Sequence, residues 1–412
     1  MTTTNVWVLG GYQTDFARNF TREGQDFASL VAETTSMTLE ESCVDADEID
    51  VIHVANAFGQ LFTGQGQLGA MPASVDERLW GVPAARHEAA CASGSVAMLA
   101  ATAELEAGRY DVALVLGVEL EKTTDSATGA AYMGSAAWIG REGQSATYMW
   151  PYMFSAVADE YDRRYGLKNE HLRAIGELNI RNARANPNAQ SREWRLNDRS
   201  FADDDVANPV VEGRLRKSDC STMTDGGAGV VLVSDRFLAR RPDLARRPRA
   251  RISGWGHATV SLDLLQKLKR SADEEFTLPH VRRAITDSFR RAKIASVDDL
   301  DLIETHDCFS MSEYAAIDHF GVTAPGQSWK AIESGELERD GRIPFNPSGG
   351  LIGGGHPVGA TGVRMMLDCY KQVTDQAGDY QISGANLAGA LNIGGSATTT
   401  VAWVVDGGTE GL

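Results

Sequence analysis

At 412 residues the chain is too long for one simple core, and its 43 % apolar and 23 % charged residues are those of a globular protein rather than a disordered one. The formal charge is 39 − 56 = −17, so no nucleic-acid or anionic-membrane surface is expected, and an anionic ligand would need a local patch of cations. Cys43, Cys91, Cys220, Cys308 and Cys369 are odd in number and scattered, which sets out neither a disulfide framework nor a paired metal spacing.

No run reaches the ~18 apolar residues of a membrane span. Met1-Thr-Thr-Thr-Asn-Val-Trp-Val8 has no charged lead before an apolar stretch, and the closing Glu410-Gly-Leu412 is not a peroxisomal address. The expectation is a soluble protein of a reducing cytoplasm.

In chain order, Val6–Leu9 reads as a short buried strand entering a Gly-Gly turn, Gln25–Cys43 as a helix, and Val51–Val54 as a strand. Ser93–Ala107 reads as an Ala-rich helix ended by Gly108, and Asp111–Leu120 as an apolar strand. This strand–helix alternation predicts an α/β fold with a mostly parallel sheet. Residues 122–221 carry little strand signal but hold Trp138, Trp150-Pro-Tyr-Met-Phe154 and an amphipathic run Ala156–Tyr165. They read as an inserted loop-and-helix region, a usual place for substrate specificity, whose aromatics suit either a bulky acyl group or internal packing. Thr224–Val233 returns to a buried strand of the first half, and Pro242 and Pro248 mark the crossing to the second. The division expected is 1–121 with 222–245 as an N-terminal half, 122–221 as the insertion, and 246–412 as a C-terminal half.

The halves repeat. Asp47-Glu-Ile-Asp-Val-Ile-His-Val-Ala-Asn-Ala-Phe58 aligns in constant register with Asp298-Asp-Leu-Asp-Leu-Ile-Glu-Thr-His-Asp-Cys-Phe309. Downstream of each copy, Cys91-Ala-Ser-Gly-Ser and His356-Pro-Val-Gly-Ala open a helix. Two copies of one unit, each ending in a polar residue at a helix mouth, predict a pseudo-twofold with a shared site.

Four segments can do chemistry. Cys91 is surrounded by small residues, and the start of a helix just behind it would stabilise a thiolate and hold an oxyanion on backbone amides. Asn346-Pro-Ser-Gly-Gly-Leu-Ile-Gly-Gly-Gly-His356 is too Gly-dense to order unless backbone approaches something closely, and it lacks the Lys-Ser/Thr of a phosphate loop. His306 and Cys308, two apart at the end of an apolar strand, can face one pocket, where α/β sites sit. A metal set of His306, Asp307 and Cys308 has no second ligand pair to support it. Leu391-Asn-Ile-Gly-Gly-Ser-Ala397 offers further backbone amides. For an anionic ligand the candidate cations are Arg214, Arg216 and Lys217, and the seven arginines from Arg236 to Arg251; the latter also read as solvated helix faces and a linker.

Together these motifs resemble the thiolase superfamily over nearly the whole chain. The Cys-Ala-Ser-Gly, the Gly-Gly-Gly-His-Pro-Val-Gly-Ala-Thr-Gly run and the closing Gly-Gly turn come in family order. Ordinary thiolases carry Asn-Glu-Ala-Phe at the strand end and a second cysteine in the last loop. Here His306-Asp-Cys308-Phe and Asn392 stand there, which resembles the thiolases related to sterol carrier protein.

The resemblance implies a five-layer αβαβα thiolase fold and acyl transfer to and from coenzyme A, a substrate rather than a resident cofactor. It implies Cys91 as acylated nucleophile, His356 as its activator, Cys308 as second acid/base, and His306 as oxyanion holder. Backbone amides of Cys91 and Gly394 would form the other oxyanion hole, and Ser221 would touch the pantetheine arm. A homodimer or homotetramer is implied, and some relatives use a small OB-fold, zinc-containing partner. A decarboxylating ketoacyl synthase or a CoA-independent acyltransferase with a partner subunit is the alternative, since Cys91, His306 and His356 also satisfy a Cys-His-His count. Cys308 argues against it, because loss of CO₂ needs no second acid/base thiol. A silent subunit that keeps the fold is the reading furthest from catalysis, and it would be expected to have lost one of Cys91, Cys308 and His356.

Overall fold

Runs of Val, Ile, Leu and Ala bounded by Gly and Asp form the strands, and each buries against helices supplied by the intervening segments. The computed structural model describes residues 4–408, so residues 1–3 and 409–412, with the C-terminal tripeptide among them, lie outside the described residues. The elements that place the site are β1 (Val6–Gln13), α1 (Phe27–Ser42), β2 (Val51–Ala55), β3 (Ala84–His87), α2 (Ser93–Glu106), β4 (Val112–Glu119), α3 (Met149–Tyr165), α4 (Asn169–Ala183) and β5 (Gly226–Ser234). The second half supplies β6 (Ala250–Thr259), α5 (Pro279–Ala292), β7 (Leu302–Thr305), α6 (Ser310–Phe320), α7 (Thr361–Val373), β8 (Leu387–Gly394) and β9 (Thr399–Asp406).

The strands order as β3-β2-β4-β5-β1-β6-β9-β8-β7. At the centre, β1 meets β6 through Trp7–Arg251 and Val8–Ala250 alone, so the sheet is two halves joined at a short seam. Both halves follow one plan. β2 runs parallel to β4, which is antiparallel to β5, which is antiparallel to β1. Likewise β7 runs parallel to β8, which is antiparallel to β9, which is antiparallel to β6. Even β3, parallel to β2, is answered by a parallel bridge between Ile303 and Phe345.

The repeat reaches individual hydrogen bonds. Asp50 accepts the amides of Asp111 and Val112 at 2.8 and 3.0 Å where β4 begins. Its counterpart Asp301 accepts those of Asn386 and Leu387, both at 2.8 Å, where β8 begins.

Three apolar clusters separate five layers. Leu30, Val31 and Leu39 of α1 cover the outer face of the first half, against Ile52, Leu114 and Val231. Between the halves, Ala97, Met98 and Ala101 of α2 meet Val363, Met366 and Leu367 of α7, with Val115 and Val230 on one side and Ala390 and Val401 on the other. On the far face, Val281, Ile285 and Phe289 of α5 lie over β6 and β9, and Ile317 and Phe320 of α6 pack beside them in the same cluster.

Two expectations are corrected. The sheet is mixed rather than mostly parallel, because β9 follows β8 through a tight turn and β5 follows the long segment 122–221, both running against the direction of their neighbours. Gly10-Gly11 is no turn: β1 continues through it to Gln13, with a register shift between Val8 and Gly10. The segment 122–221 is helical at Ser126–Gly134, α3 and α4, and carries a small hairpin, Val210–Glu212 with Leu215–Arg216. Helix α3 starts at Met149, earlier than the amphipathic run suggested, with Pro151 in its first turn, where the missing N–H costs nothing. Its apolar face, Met153, Phe154, Val157 and Tyr161, packs with Leu172 and Ile175 of α4 on the second half, and the Tyr161 hydroxyl donates to Asp318 at 2.6 Å.

Helices α2 and α7 touch backbone to backbone. A Cβ on Gly362 would lie 2.3 Å from Ser95 N, and one on Gly94 would lie 2.7 Å from Val363 N. Since the contacts are main chain on both sides, Gly362→Ala is expected to cost about 3 kcal/mol of stability, read as a lowered urea midpoint; an unchanged midpoint would contradict this packing.

Candidate active site

Four chain segments end at one place. The turn before α2 brings Cys91, with Ala90 in a left-handed conformation at φ 51°. The segment after β7 brings His306 and Cys308, the loop before α7 brings His356, and the end of β8 brings Gly394. Cys91, His306 and His356 each offer one donor atom, all within 4.8 Å of one another, and the two imidazoles meet edge to face with centroids 5.3 Å apart.

The hydrogen bonds behind the histidines set opposite tautomers. Asn392 Nδ2 lies 3.1 Å from His306 Nδ1 and donates to Cys91 O at 3.1 Å. An amide nitrogen only donates, so His306 Nδ1 accepts and its proton sits on Nε2. His356 Nδ1 lies 2.6 Å from Thr361 Oγ1, whose own proton goes to Pro357 O. The hydroxyl therefore accepts from Nδ1–H, and His356 Nε2 carries a free lone pair. With each Nδ1 engaged behind, one imidazole presents a donor to the site and the other a base. Thr224 Oγ1 accepts the His356 amide at 2.9 Å and fixes the loop from the other side.

Burial keeps the site neutral. It pulls His356 down to about 3, helped by the Arg364 charge, and pulls His306 well below the usual imidazole range, helped by His356 and Arg364. Burial also pushes the Cys91 thiol up to about 12, although Gly395 N–H and the Cys91 amide both lean on the sulfur. The helix terminus expected to stabilise a thiolate is thus outweighed by desolvation. Cys308, buried beside Cys91, is pushed well above the usual thiol range, first by burial and then by that neighbour, and its sulfur lies 3.9 Å from Ser312 Oγ.

Asp307 turns away. Its carboxylate accepts the amides of Leu351 and Ile352 and the side chain of Asn179, so His306, Asp307 and Cys308 form no ligand set. The cluster that could hold a soft cation is Cys91, His306 and His356, the same groups acyl transfer uses.

Cys91, Cys308, His356, Ser221 and Gly395 line one cavity of about 1210 Å³, walled by Met133, Trp150, Phe154 and Met223. The Ser221 amide donates to Cys308 O at 2.9 Å, which places Ser221 beside the second thiol. Gly394 lies under the nucleophile turn, where a Cβ would come 2.2 Å from Ala89 O. Among the cations, Arg22, Lys122, Arg195 and Lys217 line the cavity, Lys122 donating to Arg18 O at 2.7 Å. Arg214 is paired with Asp162 and Arg216 with Asp205 at 2.9 and 2.7 Å. In the second arginine run, Arg236 and Arg240 pair with Asp111 and Arg241 with Glu48 and Asp243, a surface network away from the cavity lining. The sequence reading missed Asn392, Thr361 and Thr224 as parts of the site, and within the closing Gly-Gly turn it singled out Gly394 where Gly395 N–H is the amide that reaches the Cys91 sulfur. Only Asn392 carried a signal, as the residue standing where a cysteine was expected.

A duplicated α/β fold whose two helix mouths deliver a cysteine and a histidine to one cavity, with a second thiol beside them, defines a class of acyl-transfer site. The pattern of the family described as Thiolase, N-terminal domain matches residues 6–236, and that described as Thiolase C-terminal domain-like matches residues 264–406. The chain belongs to the thiolase family. It is 30 % identical over 419 residues to an acetyl-CoA acetyltransferase of Methanocaldococcus jannaschii, with 96 % of this chain and 97 % of that one covered. To human sterol carrier protein 2 it is 26 % identical over 411 residues, covering 96 % of this chain and 71 % of that one. Among solved structures, the Ltp2-ChsH2(DUF35) aldolase superposes with a TM-score of 0.79 at 17 % identity, covering 98 % of both chains. Human mitochondrial 3-ketoacyl-CoA thiolase in complex with CoA superposes at 0.70 and 14 % identity, again covering 98 % of both.

With the thiol held at about 12, the resting nucleophile is protonated throughout the neutral range. The rate of Cys91 carboxamidomethylation by iodoacetamide, followed by peptide mass spectrometry, should rise roughly tenfold per pH unit from about pH 6 to 9. A plateau already reached near neutrality would mean a preformed thiolate–imidazolium pair instead.

Proposed function

We propose that this protein is an acyl-CoA C-acyltransferase of the thiolase type, which cleaves 3-ketoacyl-CoA or condenses acyl-CoA units through an acyl-Cys91 intermediate. The observation that carries the reading is the pairing of opposite imidazole tautomers around Cys91, with Cys308 in the same cavity.

In the cleavage direction His356 Nε2 takes the Cys91 proton as the sulfur attacks the 3-keto carbon. Backbone amides of Cys91 and of the Gly394-Gly395 turn hold the oxyanion. The carbon–carbon bond then breaks and an acetyl-CoA enolate leaves. His306 Nε2–H and the protonated His356 face its oxygen, and Cys308 gives its proton to the carbon. The Cys308 thiolate next takes the proton of an incoming CoA thiol, whose sulfur attacks the thioester on Cys91. His356 returns the proton to Cys91 as the acyl-CoA departs. Every protein group ends in the protonation state in which it began, the Cys308 proton lost to acetyl-CoA being replaced by that of the CoA thiol, and no resident cofactor enters the cycle.

Coenzyme A is the proposed substrate. Arg22, Arg195 and Lys217 supply positive charge on the cavity lining of a chain whose net charge is −17, and one structural neighbour is a complex with CoA. Ser221, on the cavity lining, is the proposed contact of the pantetheine arm. The segment 122–221 serves as the inserted substrate domain between halves 1–121 with 222–245 and 246–412. A homodimer or homotetramer is the proposed assembly. A small OB-fold, zinc-containing partner is part of the proposal too, supported by a neighbour that is itself a complex with a DUF35 protein. No helix among the described residues is long and apolar enough to cross a membrane, and the free thiols of all five cysteines suit a reducing cytoplasm.

The decisive assay is thiolysis of acetoacetyl-CoA by free CoA, with acetyl-CoA as the readout. Cys91→Ala should abolish acylation and turnover. Cys308→Ala should keep Cys91 acylation but slow turnover by roughly 10²–10⁴. Unimpaired thiolysis in Cys308→Ala would favour the synthase chemistry, and acylation without Cys91 would remove the nucleophile assignment.

A further inference from the structure

The turn that carries Gly394 and Gly395 does not hold its shape alone. It reverses the chain from β8 into β9 with Gly395 at φ 61° and Ala397 at φ 56°, closed by Thr398 N donating to Gly394 O at 2.9 Å. A left-handed conformation costs a residue with a Cβ roughly 1–2 kcal/mol, so Ala397 keeps it only because its surroundings impose it.

Two side chains reach the turn from behind. His280 Nε2 lies 2.8 Å from Ala397 O, and burial pulls this imidazole down to about 4, so it is neutral and donates from Nε2. Lys267 donates to Ser396 O, to Ser396 Oγ at 2.7 Å and to Thr398 Oγ1 at 3.1 Å, which uses all three ammonium protons on this turn. Lys267 is only 7 % exposed. Among the described residues no carboxylate forms an ion pair with it. Glu142 and Asp263 act on it from a distance, and both accept backbone amides instead, Glu142 those of Trp138 and Leu264, Asp263 that of Gln266. A buried ammonium without a counter-ion is expensive, and the acyl-transfer chemistry above does not use it. What it touches is the back of the turn whose front presents the Gly395 amide to Cys91.

We propose that Lys267 is a positioning residue that anchors residues 396–398 from behind and so holds the Gly394 and Gly395 amides where the oxyanion of the Cys91 adduct forms. The inference rests on the acyl-transfer reading. It separates two reactions of one sulfur. Acylation passes through a tetrahedral oxyanion and needs the turn, whereas alkylation by iodoacetamide is a direct displacement and forms no oxyanion.

The test compares both rates at Cys91 in the full-length protein, using acetyl-CoA and iodoacetamide, for wild type and Lys267→Met, which keeps an apolar stem of similar length and removes the donors. Acylation should fall about 10²-fold, the loss typical of one oxyanion donor, while alkylation stays within about threefold. Ser396→Ala, which removes one of the ammonium's acceptors and leaves the carbonyl, should shift the ratio in the same direction by a smaller factor. It decides the matter if Lys267→Met does not fold. Equal losses in both reactions, or an unchanged ratio in a folded variant, overturn the role of Lys267. A wild-type Cys91 that acetyl-CoA never acylates overturns the acyl-transfer reading itself.

Discussion

The contact between α2 and α7 is the constraint from which the site follows. Gly94 faces Val363 N and Gly362 faces Ser95 N at distances no side chain could enter, so the first turns of two helices share one space. Cys91 lies three residues before Gly94 and His356 six before Gly362. Once the helices touch there, the loops that precede them must open into the same cavity. The edge strand β7 brings His306 and Cys308 to the same place, but the crossing of these glycines is what sets Cys91 against His356. The repeat explains why the contact has this symmetry: each half contributes the same helix at the same place, and the pseudo-twofold passes between them.

That symmetry delivers Cys91 and His356 from matching places, and local hydrogen bonds then make the two site histidines, His356 and His306, unlike. Asn392 donates to the ring of His306, while Thr361 accepts from that of His356. A donor and a base result from one residue type, with no charge on either. Burial is the larger force on both, and it also holds both thiols protonated. Two helix N-termini at the cavity do not overcome it. The resting site is therefore uncharged at its two imidazoles and two thiols, and charge appears on them only when a substrate brings a carbonyl to the Cys91 sulfur.

Much of this was legible in the sequence. The register of Asp50 on Asp301 predicted a duplicated unit, and both carboxylates do the same work at the start of an inner strand. Cys91, His306, Cys308 and His356 were visible because each sits beside small residues or at a strand end. Strand direction was not legible, because the length of a connection, not the composition of a strand, decides which way it returns. The tautomers were also hidden, since they depend on Asn392 and Thr361 meeting residues 86 and 5 positions away. Lys267 gave no signal at all: in sequence it is one cation in the short helix Leu264–Arg270, and only its burial against Ser396 distinguishes it from Lys269 and Arg270.

Helices α3 and α4 follow the strands of the first half in sequence but pack on the second half. During synthesis α3 leaves the ribosome well before α5, α6 and β7 exist to receive Met153, Phe154 and Tyr161. The nascent first half therefore cannot finish its own substrate wall. It must carry an uncovered apolar helix until more than a hundred further residues have emerged, so the aromatic side of the cavity closes last, and translation arrested between the halves would leave a sticky intermediate rather than a stable half-molecule.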